Sequence, residues 1–243
     1  MHSKEPVFNV PGVVVGCIGL LAVIHAGRQY LLSPDDNIQL LLAMAFIPSR
    51  YAGFAADIPG GELAKVTSFV THMLIHADAV HLAVNSAWFL AFGSVLSRRM
   101  GALRFLAFAI CGGIAGALTF LMMNPGLAAP VVGASGAVAA MMGGVMRFLF
   151  VAIDEGRGYL LREDPAAIPR MDLWTAVTDR RIVLSSVFFV AVNLAAIIGF
   201  GKLGAVGAIA WEAHLGGYFF GLLAFALFDV AAHKISPYGG KSE

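Results

Sequence analysis

A serine and a histidine lie within apolar stretches of this 243-residue chain. Ser135 is flanked by small residues in Gly133-Ala134-Ser135-Gly136, and His214 lies in another apolar stretch further along. Polar side chains are costly where water is scarce, and within membranes they often mark functional sites. A serine hydroxyl becomes a nucleophile when a neighbouring base removes its proton. The pair therefore predicts a serine hydrolase embedded in a membrane.

The residues before Ser135 predict that it lies at or near the N-terminus of a helix, because the apolar stretch opens with Pro130 and Gly133. Free backbone N–H groups and the positive end of the helix dipole would favour an oxyanion there. The same position also suits a serine that only caps its helix. The Gly-x-Ser-x-Gly elbow of α/β-hydrolases is absent, because Ala137 stands at its second glycine.

His214 shares one helical stripe with Gly217 and Gly221, at positions i, i+3 and i+7. Glycines on such a stripe allow another helix to approach closely. The stretch that begins near Ser135 has a matching face of small residues: Gly136, Ala139, Ala140 and Gly143. Docking the two faces would bring His214 within reach of the serine hydroxyl, as general-base catalysis requires.

His81 and Asn85 are four residues apart and would therefore share one face of a helix. Both carry hydrogen-bond donors at membrane depth, where we expect them to face the bundle rather than lipid. Taken alone, the pair is better explained by hydrogen bonds between helices than by catalysis.

The composition predicts that these residues are carried by membrane helices. Hydrophobic residues form 59% of the chain, charged residues form 13%, and the mean hydropathy is +0.81, outside the usual range of soluble domains. The predicted fold class is all-α, a polytopic bundle of six transmembrane helices in one membrane domain, residues 1–243. Six apolar stretches approach the ~20 residues that cross a bilayer: 8–27, 79–97, 102–123, 131–153, 182–200 and 205–230.

Positive charges favour one orientation of these spans. With the N-terminus in the cytoplasm, 12 of the 16 Lys and Arg residues lie inside and 4 lie outside, as the positive-inside rule requires. Both termini are then cytoplasmic, with a long outside loop at 28–78 and a cytoplasmic loop at 154–181. The cytoplasmic loop is rich in charge and expected to be solvated, with a short surface helix near Leu173 and Trp174.

The sequence predicts neither a cofactor nor a metal. Cys17 and Cys111 fall in different spans, so they form no disulfide framework and no metal site. The net charge of +1 gives no reason to propose a nucleic-acid partner. In the outside loop the apolar run 38–48 is too short to cross the bilayer and is expected to lie in its interface.

Taken together, the polar motifs resemble those of the rhomboid intramembrane serine proteases. The resemblance covers the chain from the first span to the sixth, including the long outside loop. It implies an endopeptidase that cleaves single-span membrane proteins, in the bacterial six-span form. The matching motifs are Thr71-His72-x-x-x-His76, His81-x-x-x-Asn85, Gly133-x-Ser135-Gly136 and Ala213-His214-x-x-Gly217-x-x-x-Gly221.

The resemblance implies a chemical role for five of these residues. Ser135 would be the nucleophile and His214 its general base, a dyad without an acid to orient the histidine. His81, Asn85 and the backbone N–H of Ser135 would hold the oxyanion. Gly133 would keep the turn before the serine open.

Five further residues would have supporting roles. Gly136, Gly217 and Gly221 would form the helix contact that sets the dyad distance. His72 and His76 would lie near the rim of the active site, in the long loop.

Hydrolysis of an acyl-enzyme also needs water at the serine. If the sixth helix begins near Ala205, His214 lies about nine residues along it, or ~13 Å. This depth predicts a cavity open to the outside face of the membrane. Irregular backbone before Gly133 is tolerable because it would line that cavity.

The chain departs from the family pattern in two places. Many relatives have a tyrosine four residues after the serine, on which the histidine ring stacks, whereas this chain has Ala139. The orientation of His214 must then come from elsewhere. The Trp-Arg pair often found in the first loop is replaced by Thr67 and Ser68. Glu212 is expected to point to another face of its helix than the histidine, so it is not predicted to be a triad acid.

Two other functions fit part of the pattern. A rhomboid-like pseudoprotease would bind membrane clients, but such relatives usually lack the serine or the histidine, and this chain has both. A small transporter would also place polar residues at mid-membrane, but no repeat relates the two halves of this chain. The expected location is the inner membrane of a bacterium, and the oligomeric state stays open.

Overall fold

The computed structural model describes residues 10–201, 210–229 and 234–235, and of residues 196–201 and 234–235 it describes the backbone alone. Helices dominate the described residues, joined by short 3₁₀ turns, and the strands β1 (Arg170–Met171) and β2 (Lys234–Ile235) pair in parallel. In this part of the chain the α-helices are α1 Gly12–Tyr30, α2 Pro34–Met44, α3 Leu63–Thr71, α4 Ala79–Met100, α5 Ala102–Met123, α6 Ser135–Asp154, α7 Leu160–Glu163, α8 Leu173–Thr178, α9 Arg180–Gly201 and α10 Trp211–Ala224.

The long helices follow the predicted spans. Among the described residues, α1, α4, α5 and α6 are long and apolar enough to cross a membrane, and they match the first four predicted stretches. Helix α9 follows the fifth stretch, and α10 follows the described part of the sixth. Parts of the predicted spans and loops lie outside the described residues, namely 8–9, 202–209 and 230. Three residues of the charge count also lie outside them: Lys4, Lys202 and Lys241. The fold class is confirmed: the chain is an all-α, multi-pass membrane bundle.

Helix α10 lies against both α5 and α6, and its glycines make the approach possible. A Cβ on Gly217 would overlap the backbone carbonyl of Gly136 in α6. A Cβ on Gly221 would likewise overlap the carbonyl of Ala140, one helical turn further along. Helices come this close only where one of them lacks side chains at the contact. The predicted docking of the two small faces is therefore confirmed.

The long loop between α1 and α4, predicted to lie outside, is organised around Arg50. This arginine is fully buried, and its guanidinium donates hydrogen bonds to three carbonyl groups of the same loop. Phe46, a few residues before it, exchanges two backbone hydrogen bonds with Val131, at 2.8 and 3.0 Å. The loop between α1 and α4 is thereby tied to the segment that leads into Ser135.

Buried arginines hold the loop between α6 and α9, predicted to be cytoplasmic, against the ends of the helices. Arg99 of α4 donates to both carboxylate oxygens of Asp229, at 2.9 and 3.0 Å, and Arg170 of β1 donates to the same carboxylate at 2.8 Å. Arg147 of α6 donates to carbonyl groups of α10 and β1. The surface helix predicted near Leu173 is confirmed by α8. The expectation of a solvated loop was wrong for Arg170, which is buried against Asp229, whereas the other arginines of the loop are half-buried or exposed.

Replacing Gly217 by alanine is expected to destabilise the bundle. The new Cβ would have to displace the α6 backbone, and overpacking of this kind costs roughly 1–3 kcal/mol. The matched control is Gly19→Ala in α1, where a Cβ would meet no atom within 4 Å. Thermal unfolding in detergent should show a lower midpoint for Gly217→Ala than for the control. Equal midpoints would contradict the close contact between α6 and α10.

Candidate active site

Ser135 and His214 face each other across the contact between α6 and α10. Ser135 is the first residue of α6, which confirms the predicted helix N-terminus, and His214 is the fourth residue of α10. The serine Oγ and the histidine Nε2 are 2.8 Å apart, a normal hydrogen-bond distance. Both residues are half-buried. The structure thus brings together a hydroxyl and a base that are 79 residues apart in the sequence.

His214 lies closer to the start of its helix than the sequence indicated. Helix α10 begins at Trp211, and Ala210 before it has a non-helical backbone with φ −74° and ψ 71°. His214 is therefore three residues, or about 4.5 Å, along the helix axis from Trp211. The ~13 Å expected from a start near Ala205 was wrong, and residues 205–209 lie outside the described residues. The serine and histidine both occupy the first turn of their helices.

His81, Asn85 and Gly133 converge beside this pair. A Cβ built on Gly133 would lie 2.7 Å from His81 Nε2 and 3.6 Å from Asn85 Nδ2. Gly133 also has a left-handed φ of +109°, and its N–H donates to the carbonyl of His72 at 2.9 Å. Any other residue here would be strained and would place its side chain against the two donors. Glycine therefore keeps the space in front of the imidazole and the amide open.

His72 and His76 are buried beneath the site, whereas the sequence placed them near its rim. Their exposed fractions are 3% and 0%. His72 Nδ1 donates to the carbonyl of Ser68 at 2.7 Å, and its own carbonyl holds the N–H of Gly133. His76 Nε2 accepts the N–H of Ala134 at 3.4 Å. Both histidines thus support the backbone that leads into the serine.

A second partner of His214 was missed in the sequence. Asn193 of α9 accepts a hydrogen bond at Oδ1 from His214 Nδ1, at 2.7 Å. Asn193 is only 7% exposed. The contact supplies an orientation for the imidazole in a chain where Ala139 replaces the stacking tyrosine. The signal was available, since Asn193 is a polar residue inside the predicted span 182–200, where polar residues tend to be functional.

Glu212 lies apart from the pair, as predicted from its position on α10. Its carboxylate accepts a hydrogen bond from Asn124 at the end of α5, at 2.9 Å. Within the described residues, its carboxylate forms no hydrogen bond or ion pair with His214. Glu212 therefore ties α10 to α5 and does not complete a triad.

Comparisons with known proteins show the family of the chain. A family model described as "Rhomboid domain" matches residues 63–229. The chain is also 29% identical over 80 residues to a protein of Haemophilus influenzae named Rhomboid protease GlpG. That alignment covers 33% of this chain and 40% of the relative, so it spans less than half the relative's length.

Acidification is expected to destabilise the protein through His72 and His76. Burial lowers the pKa of His72 from 6.5 to about 4, and burial with neighbouring His81, His25 and Arg28 lowers the pKa of His76 to about 3. Below pH ~6.5 the unfolded chain therefore binds more protons than the folded one, so stability is fully present above that pH and falls as the pH decreases.

The loss can reach ~1.4 kcal/mol per pH unit for each histidine. Unfolding midpoints measured in detergent between pH 7.5 and 4.5 test this expectation. A His76→Asn variant, which cannot titrate in this range, should show a shallower decline. Parallel pH curves for wild type and variant would contradict the role of His76.

Proposed function

Because the chain belongs to the rhomboid family, we propose that it is an intramembrane serine endopeptidase. The family model covers residues 63–229, which are 167 of the 243 residues and include all the proposed site residues. The observation that carries the proposal is the 2.8 Å contact between Ser135 Oγ and His214 Nε2. The proposed substrates are single-span membrane proteins.

In the proposed reaction, Ser135 Oγ attacks the carbonyl carbon of the scissile peptide bond. His214 Nε2 takes the hydroxyl proton as the new carbon–oxygen bond forms. The carbonyl electrons move to its oxygen, which becomes an oxyanion in a tetrahedral intermediate. The existing hydrogen bond between Oγ and Nε2 supports this proton transfer, because the two atoms need no rearrangement.

The oxyanion would be stabilised by His81, Asn85 and the backbone N–H of Ser135. A helix N-terminus favours a negative charge at the position of Ser135. The two side-chain donors lie next to the position that a Cβ of Gly133 would occupy, so the missing side chain leaves space for the substrate oxygen. Donors that are in place before the reaction lower the barrier most, and a single one can account for a factor of roughly 10²–10³ in rate.

The intermediate would collapse when protonated His214 donates its proton to the leaving amine. Water then attacks the acyl-enzyme, with His214 again as the base, and the product acid and free serine are released. The location of Ser135 and His214 in the first turns of their helices supports access for water from the outside. A bond held within a substrate helix must first leave that helix, so we propose cleavage near small or helix-breaking residues at the outer end of the substrate span.

We further propose six spans with both termini in the cytoplasm, in the inner membrane of a bacterium. The distribution of Lys and Arg supports this orientation. Ser135 and His214 then lie toward the outside, and the buried network of Arg99 and Asp229 lies toward the cytoplasm.

Reconstitution with a single-span substrate tests the proposed activity. We expect cleavage by the wild-type protein and its loss in Ser135→Ala and His214→Ala. Ser94→Ala, which removes a hydroxyl from α4, is the matched control and should cleave normally. A serine-directed fluorophosphonate should label Ser135 only when His214 is present. Equal cleavage by wild type and Ser135→Ala would refute the assignment, and client binding without cleavage would indicate a rhomboid-like pseudoprotease.

Gly133→Ala is expected to lower kcat by roughly 10²–10³, the loss typical for disturbing an oxyanion site. The matched control is Gly126→Ala, because Gly126 also has a left-handed φ, of +78°, but its Cβ would meet only the Ala52 side chain at 3.7 Å. Both variants carry backbone strain, and only Gly133→Ala places a methyl group against His81 and Asn85. Similar kcat values for the two variants, measured on the same reconstituted substrate, would count against the oxyanion role of these donors.

A further inference from the structure

We propose that Asn193 positions the base of this reaction by accepting the Nδ1–H of His214. The inference rests on the proposed function, since it assigns a residue that acts through the general base. Asn193 is a positioning residue on this view, because it contacts His214 and not the serine. Its role follows from two hydrogen bonds and from the helix face that carries it.

The first step is the orientation of the Asn193 amide. Its Nδ2 lies 2.9 Å from the carbonyl oxygen of Phe189, one turn earlier in α9. A carbonyl oxygen can only accept a hydrogen bond, so the amide nitrogen must face it. The amide oxygen then faces His214, where it lies 2.7 Å from Nδ1.

The orientation of the amide selects one tautomer of the imidazole. Oδ1 of Asn193 carries no hydrogen, so the proton of the shared hydrogen bond must belong to His214 Nδ1. In a neutral imidazole Nε2 is then unprotonated, and its lone pair accepts the hydroxyl of Ser135 at 2.8 Å. The other tautomer would set a lone pair against Oδ1 and turn Nε2 into a donor. Asn193 thus keeps the base in the only neutral form that can deprotonate the serine.

The same contact strengthens as the reaction proceeds. When Nε2 takes the serine proton, the imidazole becomes positively charged, and its Nδ1–H becomes a stronger donor. The proton on Nδ1 stays on the ring, and Asn193 accepts a hydrogen bond without taking a proton. Hydrogen bonds to charged groups are stronger than those between neutral groups, so the contact favours the transition state over the ground state.

Asn193 shares a face of α9 with residues that pack on α10. Ser186, Phe189 and Asn193 lie at positions i, i+3 and i+7 of α9, on one face. Ser186 Oγ is 2.8 Å from the hydroxyl of Tyr218, and the Phe189 ring stacks on the Tyr218 ring with centroids 4.7 Å apart. Tyr218 follows His214 by one helical turn. Asn193 therefore lies on the face of α9 that packs against α10.

Three variants of α9 separate the hydrogen bond from this packing. Asn193→Leu removes the acceptor at similar size, and Asn193→Asp restores an acceptor oxygen. Ser186→Ala removes a polar contact with α10 from the same face and leaves His214 untouched. We expect a roughly 10- to 100-fold lower kcat with little change in KM for Asn193→Leu, activity within about fivefold of wild type for Asn193→Asp, and wild-type activity for Ser186→Ala.

The tautomer of His214 gives a readout that a merely structural role would not change. Nitrogen NMR of the full-length protein labelled with ¹⁵N-histidine, with the signals assigned by their loss in His214→Ala, should show a protonated Nδ1 and an unprotonated Nε2. The Asn193→Leu variant should show a mixture of tautomers, and Ser186→Ala should match the wild type. If Asn193→Leu does not fold, Asn193→Ala removes the same acceptor.

Wild-type kcat together with wild-type ring signals in Asn193→Leu would overturn the inference. An equal loss of kcat in Ser186→Ala would overturn it as well, because the loss would then reflect helix packing. Failure of the proposed function has a different signature, in which the wild type neither cleaves substrate nor reacts with the fluorophosphonate. In that case the ¹⁵N signals of His214 still test whether Asn193 selects its tautomer, since they do not depend on turnover.

Discussion

The close approach of α6 and α10 is the constraint on which the site depends. Lipid tails are as apolar as leucine, so helices in a membrane associate through close packing rather than through burial of apolar surface. Here Gly217 lies directly against the carbonyl of Gly136. Serine and histidine side chains are short, and a 2.8 Å contact between Ser135 and His214 needs the two backbones to be this near. The proposed chemistry therefore depends on glycine at this contact, because any side chain would keep the two helices apart.

Two sets of contacts hold this pair of helices in place from opposite ends. Toward the serine, the loop between α1 and α4 pairs with Val131 through Phe46, and the carbonyl of His72 accepts the N–H of Gly133. At the other end, the side chains of Arg99 and Asp229 are fully buried and bind each other. A buried ion pair is costly to break, because each charge would be left without its partner. The buried ion pairs thus lie away from the proposed site, which is built from neutral donors and acceptors.

The sequence predicted the parts of this arrangement that helical periodicity encodes. Ser135, His214 and the small faces could be placed because residues three, four and seven apart share one side of a helix. Asn193 could not be assigned to His214 in this way, since its contact depends on how α9 is rotated against α10. The burial of Arg170 in the loop between α6 and α9 was also missed, because charged residues indicate solvent unless a partner is known. That partner, Asp229, follows Arg170 by 59 residues.

An amide beside the base is suited to a site within a membrane. A buried carboxylate carries a large desolvation cost, whereas a hydrogen-bonded amide carries much less. The amide orients His214 as a carboxylate would, but it offers less stabilisation to the imidazolium that forms in the proposed reaction. The positive charge of the imidazolium must then be balanced by the oxyanion, which the donors around it stabilise. Opposite charges attract more strongly where the dielectric constant is low, so under the proposed mechanism we expect His81 and Asn85 to supply, through the oxyanion, much of the stabilisation that an acid supplies in a soluble triad.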